Sequence, residues 1–505
     1  MELSIARKTI EVERLVGQAS AQALVHAEAM VPGAGREAVR PLLSDATLSL
    51  GTSEVQQDRV VLDGVVYCQA VYRQGDEENV RALTAQTALN QVLDIPMAEP
   101  GMILKVEGDV EHVEAAYENG HMVFRVSVVV RAQVLKLETV DLITQLAGME
   151  GLETRFTEVR SCKLSAESGA DTLLHEEVQL PGELDARMSL MDWYSIKIKK
   201  TAADLGGVRV SGDVLVEALI GTGVAGRPVA LVKVALPFDQ LVEMPEWLSG
   251  EATGSAQVRR LVTQVQEGEE GETSTLNIEC ELSVSANATG QDSASALCDA
   301  YSTGTAALKT QTQTLDVSGG DAYVTANELF RGTLLLGEGA PGVGSVLAVR
   351  VTPSLSGWNV ENGASTLEGV MEMSVLYLPG GGDKVSAARE ELPFSIRIGE
   401  ALPPDAWVRL YASGAEATSM LSDRMEVRCQ VRVEASYRRQ NAVEVVTDVA
   451  EDGVQSAREG VILVWPGEKD DLWSIGKRYK IGAARIRELN GDREKLVPGK
   501  AVVLR

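Results

Sequence analysis

The chain repeats itself, and this limits what it can fold into more than any single motif does. The segment from Ala23 (ALVHAEAMVPG) matches the one from Thr172 (TLLHEEVQLPG), aligning His26 with His175, Glu28 with Glu177 and Pro32-Gly33 with Pro181-Gly182. A second block occurs three times, as VVLDGVVYCQAVY, VRVSGDVLVEALI and STLEGVMEMSVLY, centred on Gly64, Gly212 and Gly369 about 150 residues apart. LPF follows from Leu236 and Leu392, with a weaker copy from Leu89. Each copy then closes on FRVSVVVRAQV, LNIECELSVSA or MEVRCQVRVEA, which puts Cys280 and Cys429 at equivalent places. Ordered blocks at a fixed period predict three diverged copies of one unit, at 1–145, 146–299 and 300–440. Residues 441–460 are more polar and read as a linker, or as a final strand followed by one, leaving 461–505 as a separate C-terminal module. Copies stacked in one chain present long surfaces, which suits assembly more than turnover.

The unit reads as β structure. Phe124, Val126, Val128 and Val130 alternate with Arg125, Ser127, Val129 and Arg131, the period of a strand with one buried face. Val427, Cys429, Val431 and Val433 repeat the pattern. Several such strands per copy, separated by Gly, Pro and Asp clusters, predict a mainly β fold of sandwich-like or barrel-like repeats. A glycine in mid-strand marks a bulge or a close backbone approach. Short helical segments are expected only in stretches such as Ser293 to Thr314.

Composition narrows the function. A length of 505 residues predicts three to four domains, and 45% hydrophobic with 24% charged residues excludes a disordered scaffold. No run of about 18 apolar residues is present to span a membrane. MELSIARKTIEVERLVGQ has no apolar core, so no signal peptide is read and a cytoplasmic location is expected. The net charge of −26 argues against nucleic acid and anionic membranes. Five scattered cysteines without a Cys-x-x-Cys pair, and four histidines without ligand spacing, imply neither a disulfide frame nor a metal site. Gly380-Gly381-Gly382-Asp383-Lys384 lacks the hydroxyl residue and the strand-to-helix setting of a phosphate loop. His175-x-Glu177 reads as a surface pair on one strand face. No catalytic constellation emerges, no cofactor is implied, and a non-enzyme is expected.

The last 45 residues differ. Ten Lys and Arg against six Asp and Glu make them basic, while the rest of the chain is strongly acidic. A short apolar strand ending at Trp465 leads to Pro466-Gly467. Leu472, Ile475, Gly476 and Tyr479 then mark one face of a helix, and Ile486 and Leu489 belong to a second that stops at Asn490-Gly491. Pro498-Gly499 turns the chain into a final strand. This β-α-α-β order resembles a LysM domain, a family that binds N-acetylglucosamine glycans. Where that family has Gly-Asp-Thr-Leu-Trp, this chain has Gly467-Glu468-Lys469-Asp470-Asp471-Leu472-Trp473, two residues longer and without the Thr. The resemblance implies a binding face among Gly467, Asp471, Leu472, Trp473, Arg485, Ile486, Arg487, Asn490 and Pro498. Trp473 fits either packing beside the module's core or stacking on a ligand.

Three β-rich copies, an acidic body and a LysM-like tail together resemble the SPOCS-domain spore-coat morphogenetic proteins of the SipL type. That resemblance implies a scaffold at the forespore surface in the mother-cell cytoplasm. It also implies that the tail docks to the coat-basement ATPase, stage IV sporulation protein A, rather than to glycan. A peptidoglycan-binding protein is the alternative, and a wall hydrolase with an unfamiliar catalytic domain is a third.

Overall fold

The computed structural model describes residues 3–33, 38–75, 80–224, 226–244, 251–268, 273–382, 384–454, 462–491 and 496–504, the side chains of 165 and 166 excepted. Its first six strands are β1 (Ser4–Met30), β2 (Val39–Gln56), β3 (Arg59–Gln74), β4 (Val80–Asp94), β5 (Ile103–Glu118) and β6 (His121–Ala147). They form two antiparallel sheets, β1-β6-β5 and β2-β3-β4. The pairing recurs in β7 (Leu152–Gln179), β8 (Ala186–Asp204), β9 (Gly207–Thr222), β10 (Val229–Glu243), β11 (Glu251–Gln266) and β12 (Thr275–Ser302). It recurs again in β13 (Ala306–Leu335), β14 (Val343–Glu361), β15 (Ala364–Pro379), β16 (Ser386–Ile398), β17 (Trp407–Leu421) and β18 (Arg424–Val454). The fold is mainly β.

Each pair of sheets closes over one core. In the first unit, Val60, Val66, Cys68 and Ala70 of β3 face Phe124, Val126, Val128 and Val130 of β6. The intervening β6 residues are only partly buried, so the period of two in the sequence selects which face turns inward. Burying each such side chain contributes roughly 1.5–3 kcal/mol. The second core uses Leu276, Ile278, Cys280, Leu282 and Val284 of β12, and the third Met425, Val427, Cys429, Val431 and Val433 of β18. All five cysteines are free, and burial pushes the thiols of Cys280 and Cys429 up to about 11, which keeps them protonated and inert.

The three mid-strand glycines share one setting. Gly64, Gly212 and Gly369 lie in β3, β9 and β15, the central strand of each smaller sheet. The preceding strand bulges beside each, at Leu50/Ser53, Ile198/Lys200 and Leu355/Gly357. A Cβ on these glycines would lie 2.8 Å from Ser49 O, 2.3 Å from Lys197 O and 2.1 Å from Ser354 O. The bulge drives a carbonyl into the space that a side chain would fill.

The strand pairs β1–β6, β7–β12 and β13–β18 outrun their own sandwiches. Each ladder shifts register part-way along, at Leu15/Gly17, Ala288/Thr289 and Ser318/Asp321. Beyond the shift the three ribbons bury a shared core of Ile10, Val12, Leu142, Val159, Ala294, Ala296, Val317 and Val445. A second layer holds Ile143, Leu146, Leu297, Ala300, Val446 and Val449. One residue set from each unit contributes to both layers, so the ribbons make a three-walled prism. At its base Glu13 is 3% exposed, pairs with Arg438 and accepts Leu164 N at 2.7 Å. Arg438 also reaches Asp321 at 3.5 Å. At the opposite end Leu42, Leu43, Val71, Leu190, Met191, Leu219, Leu376 and Leu378 form a further apolar contact among the three units.

Two expectations are corrected here. Residues 441–454 are not a linker throughout but take the other reading, a final strand: they continue β18, because Val443 pairs with Leu315 and Val445, Val446 and Val449 are prism core. The later part of that segment, 455–460, lies outside the described residues. Ser293 to Thr314 contains no helix: its alternate alanines Ala294 and Ala296 are buried in the prism, and pairing of β12 with β7 overrides their helix propensity.

The C-terminal module consists of β19 (Leu463–Val464), α1 (Leu472–Tyr479), α2 (Ala483–Leu489) and β20 (Val502–Val503), with the two strands antiparallel. Val464, Leu472, Ile475, Ile481, Ile486, Val502 and Leu504 form its core.

Gly369→Ala should destabilise the third unit by about 1–3 kcal/mol, because its Cβ meets both a backbone carbonyl and the Phe394 ring. Urea midpoints of the two chains check this; an unchanged midpoint contradicts the close approach.

Candidate docking face of the C-terminal module

The start of α1 is built by its loop. Asp471 caps the helix: its Oδ1 accepts Ser474 N at 2.7 Å, while its own N–H donates to Ser474 Oγ at 2.9 Å. With no Thr before Leu472, the Asp supplies the cap. Partial burial works against its charge, yet the hydrogen bonds from Ser474 and the nearby Arg155 hold its carboxyl below the usual range. Gly467 N donates to Asp470 Oδ2 at 3.0 Å, and Gly499 N donates to Pro466 O at 3.2 Å, which ties the loop to the Pro498 turn.

The residues expected to bind separate into three kinds. Leu472 and Ile486 are buried in the module's core, so Ile486, 0% exposed, is no surface anchor. Asn490 is structural: its side chain donates to Ile486 O and Val503 O, both at 2.7 Å, and accepts Val503 N at 2.9 Å, locking β20 onto α2. Gly467, Pro498, Arg485 and Arg487 are exposed, with Arg485 3.1 Å from Glu488. Leu463, Trp465 and Val497 are large apolar side chains left open on the same module, Trp465 at 62% exposure.

Trp473 engages neither the module's core nor open solvent. Its Nε1 donates to Asp299 Oδ2 at 2.8 Å, and its ring meets Tyr301 edge-on, with centroids 4.9 Å apart at 71°. Lys477, one turn along α1, donates to Asp299 Oδ1 at 2.6 Å. The Tyr301 hydroxyl donates to Ile481 O at 3.0 Å, and burial raises its pKa above the usual phenol range. Arg155 lies 3.4 Å from Asp471. Thus α1 seats on the ends of β7 and β12 in the second unit. Asp299, Tyr301 and Arg155 were not singled out from sequence, because nothing local links them to residues about 170 or more positions away; the opposite charge of body and tail, read there as a surface for an acidic partner, is the one signal that bears on this contact.

A second feature lies between the three units, a polar cavity of about 530 Å³. Asp45, Glu107 and Asp109 line it from the first unit, Trp193 and Tyr194 from the second, Arg350, Arg409 and Tyr411 from the third. Arg350 is 3.0 Å from Asp45 and lies 5.5 Å over the Trp193 ring, while Arg409 is 3.3 Å from Glu107. Burial pushes Glu107 up to about 7 against the pull of Arg409. At the rim of the same cavity His112 and Glu372 come within metal-ligand reach of each other and of Glu391, but the Arg389 guanidinium already sits 2.6 Å from Glu372. His175 and Glu177 are an exposed pair 4.0 Å apart. No helix among the described residues is long and apolar enough to cross a membrane.

Residues 41–118 match the family model described as SipL, SPOCS domain. The chain carries a SipL-type SPOCS domain. The matched stretch runs from Pro41 in β2 to the end of β5, so the SPOCS segment supplies Asp45, Glu107 and Asp109 to the central cavity. No curated protein and no solved structure matches the chain.

Two outcomes follow. Ile475→Ala should cost about 2–5 kcal/mol and unfold the module, read as lost hydrogen-exchange protection over 472–489 with the sandwiches unchanged. Folding favours protonated Glu107, whose folded pKa of about 7 lies above its ordinary 4.5. Its contribution is therefore full below about 4.5 and is lost as pH rises through about 7, by up to roughly 3 kcal/mol. Glu107→Gln should flatten stability over that window; a retained slope assigns it to other groups.

Proposed function

We propose that this chain is a non-enzymatic scaffold of spore-envelope assembly whose C-terminal module, LysM-like in its element order, docks a protein rather than a glycan. The SPOCS match supports a sporulation role, and the joining of three sandwiches into one body suits a scaffold. The observation that carries the docking half is the seat of α1: the Trp473 indole and the Lys477 ammonium converge on a protein carboxylate, Asp299. An aromatic residue ringed by charge is the usual anchor of a protein interface. The exposed Arg485 and Arg487 add a basic rim that would steer an acidic partner and set salt sensitivity. By resemblance the partner is a coat-basement ATPase of the stage IV sporulation protein A type, met at the forespore surface in the mother cell.

Calorimetry on the full chain tests this against both ligand classes. The coat-basement ATPase should bind, and replacing Arg485 and Arg487 together by Glu should weaken it at least about tenfold, the equivalent of 1.4 kcal/mol, without lowering the melting temperature. Micromolar binding of chitotetraose with no binding of the ATPase would sink the proposal in favour of peptidoglycan recognition.

A further inference from the structure

The contact between α1 and the second unit has the form of a recognition site. Trp473 and Lys477 stand one turn apart on one face of α1, and both donate to a single carboxylate, one at each oxygen of Asp299. Asp299 and Tyr301 are two residues apart on β12, the spacing that sets both side chains on one face of a strand. Between the two donors lies Gly476, where a Cβ would come 2.5 Å from Tyr301 Oη. That glycine opens the helix surface to the tyrosine, and the hydroxyl then caps Ile481 O. Lys477 and Trp473 thus meet the charge, Trp473 the ring, and the Ile481 carbonyl the hydroxyl.

We propose that this face of α1 recognises a carboxylate and an aromatic ring spaced two residues apart on a strand. Asp299 and Tyr301 fill the site in the isolated chain, and a partner protein offering the same pair takes their place. The exchange rests on the docking reading above; the recognition and the internal seat do not. A tethered ligand acts at an effective concentration on the order of millimolar. A partner at micromolar concentration therefore displaces it only by binding on the order of a thousandfold more tightly. In the free chain the Trp473 face is occupied by Asp299 and Tyr301, while Arg485 and Arg487 stay open for a first, charge-driven encounter.

Fluorine NMR of the full chain labelled with fluorotryptophan tests the inference. The Trp473 line is assigned by its loss in Trp473→Phe. In the native chain a soluble gadolinium chelate should broaden it little. Asp299→Ala should make it strongly broadened, and Asp299→Asn, which keeps an acceptor but no charge, should fall between. The other tryptophan lines must stay in place, which separates release from unfolding. Equal broadening in native and Asp299→Ala chains overturns the internal seat. The labelled Asp299→Ala chain is then mixed with an unlabelled full chain carrying Trp473→Ala and Lys477→Ala, in which Asp299 has lost both of its donors and Tyr301 its ring partner. Return of the Trp473 line toward its native position supports recognition of the pair in trans, and no return at about millimolar concentration overturns it. Neither reading involves an external partner, so a failure of the docking proposal remains distinguishable.

Discussion

Backbone pairing along three over-long strand pairs holds the body together. A sandwich needs strands only long enough to cover its own core, yet β1–β6, β7–β12 and β13–β18 run well past theirs. The register shift in each ladder lets the ribbon leave one core and enter another. Without the shift, the side-chain alternation that buries Val126 or Val431 in a sandwich would carry straight on, and a ribbon of two strands alone is marginal in water. The prism thus turns three separate sandwiches into one body, and Glu13, held by Arg438 and Leu164 N, fixes their mutual setting. Breaking such a buried pair by removing one partner typically costs about 3–5 kcal/mol, so it also works against alternative arrangements.

That arrangement produces the two features on which function can draw. Joining the units around a common centre encloses charged side chains in a partly dehydrated cavity, where Glu107 keeps its proton to near neutrality. The ends of β7 and β12 form one wall of the prism and also carry Arg155, Asp299 and Tyr301, the seat of α1. The module is therefore held by the part of the second unit that is rigid because three units share it. A seat on a lone ribbon would lack that support.

Much of this was legible beforehand, for reasons that are local. The alternation from Phe124 to Val130 names a strand and its inner face because side chains on a strand alternate regardless of what they pack against. Gly64, Gly212 and Gly369 announced a bulge or close approach because an absent Cβ has few other uses in mid-strand. The module's elements were readable from Leu472, Ile475, Ile486 and the Asn490-Gly491 stop. Reading failed where a distant partner decides the outcome. The alanines after Ser293 allow a helix until β7 pairs with them, and residues after Gln440 look polar enough for a linker until β13 does.

The sequence by itself determined the strand-rich fold class, the recurrence of its blocks, the element order of the tail and the opposite charges of tail and body. These follow from period, glycine placement and composition, which need no knowledge of neighbours in space. Only the tertiary structure decided that the ribbons meet in a prism, that a cavity of mixed charge lies between the units, and that Trp473 lies on Asp299 and Tyr301. An indole near a helix start has the same local pattern whether it faces a core, a sugar or another domain. What distinguishes these cases is which carboxylate and which ring arrive beside it, and that depends on a contact across 174 positions of chain.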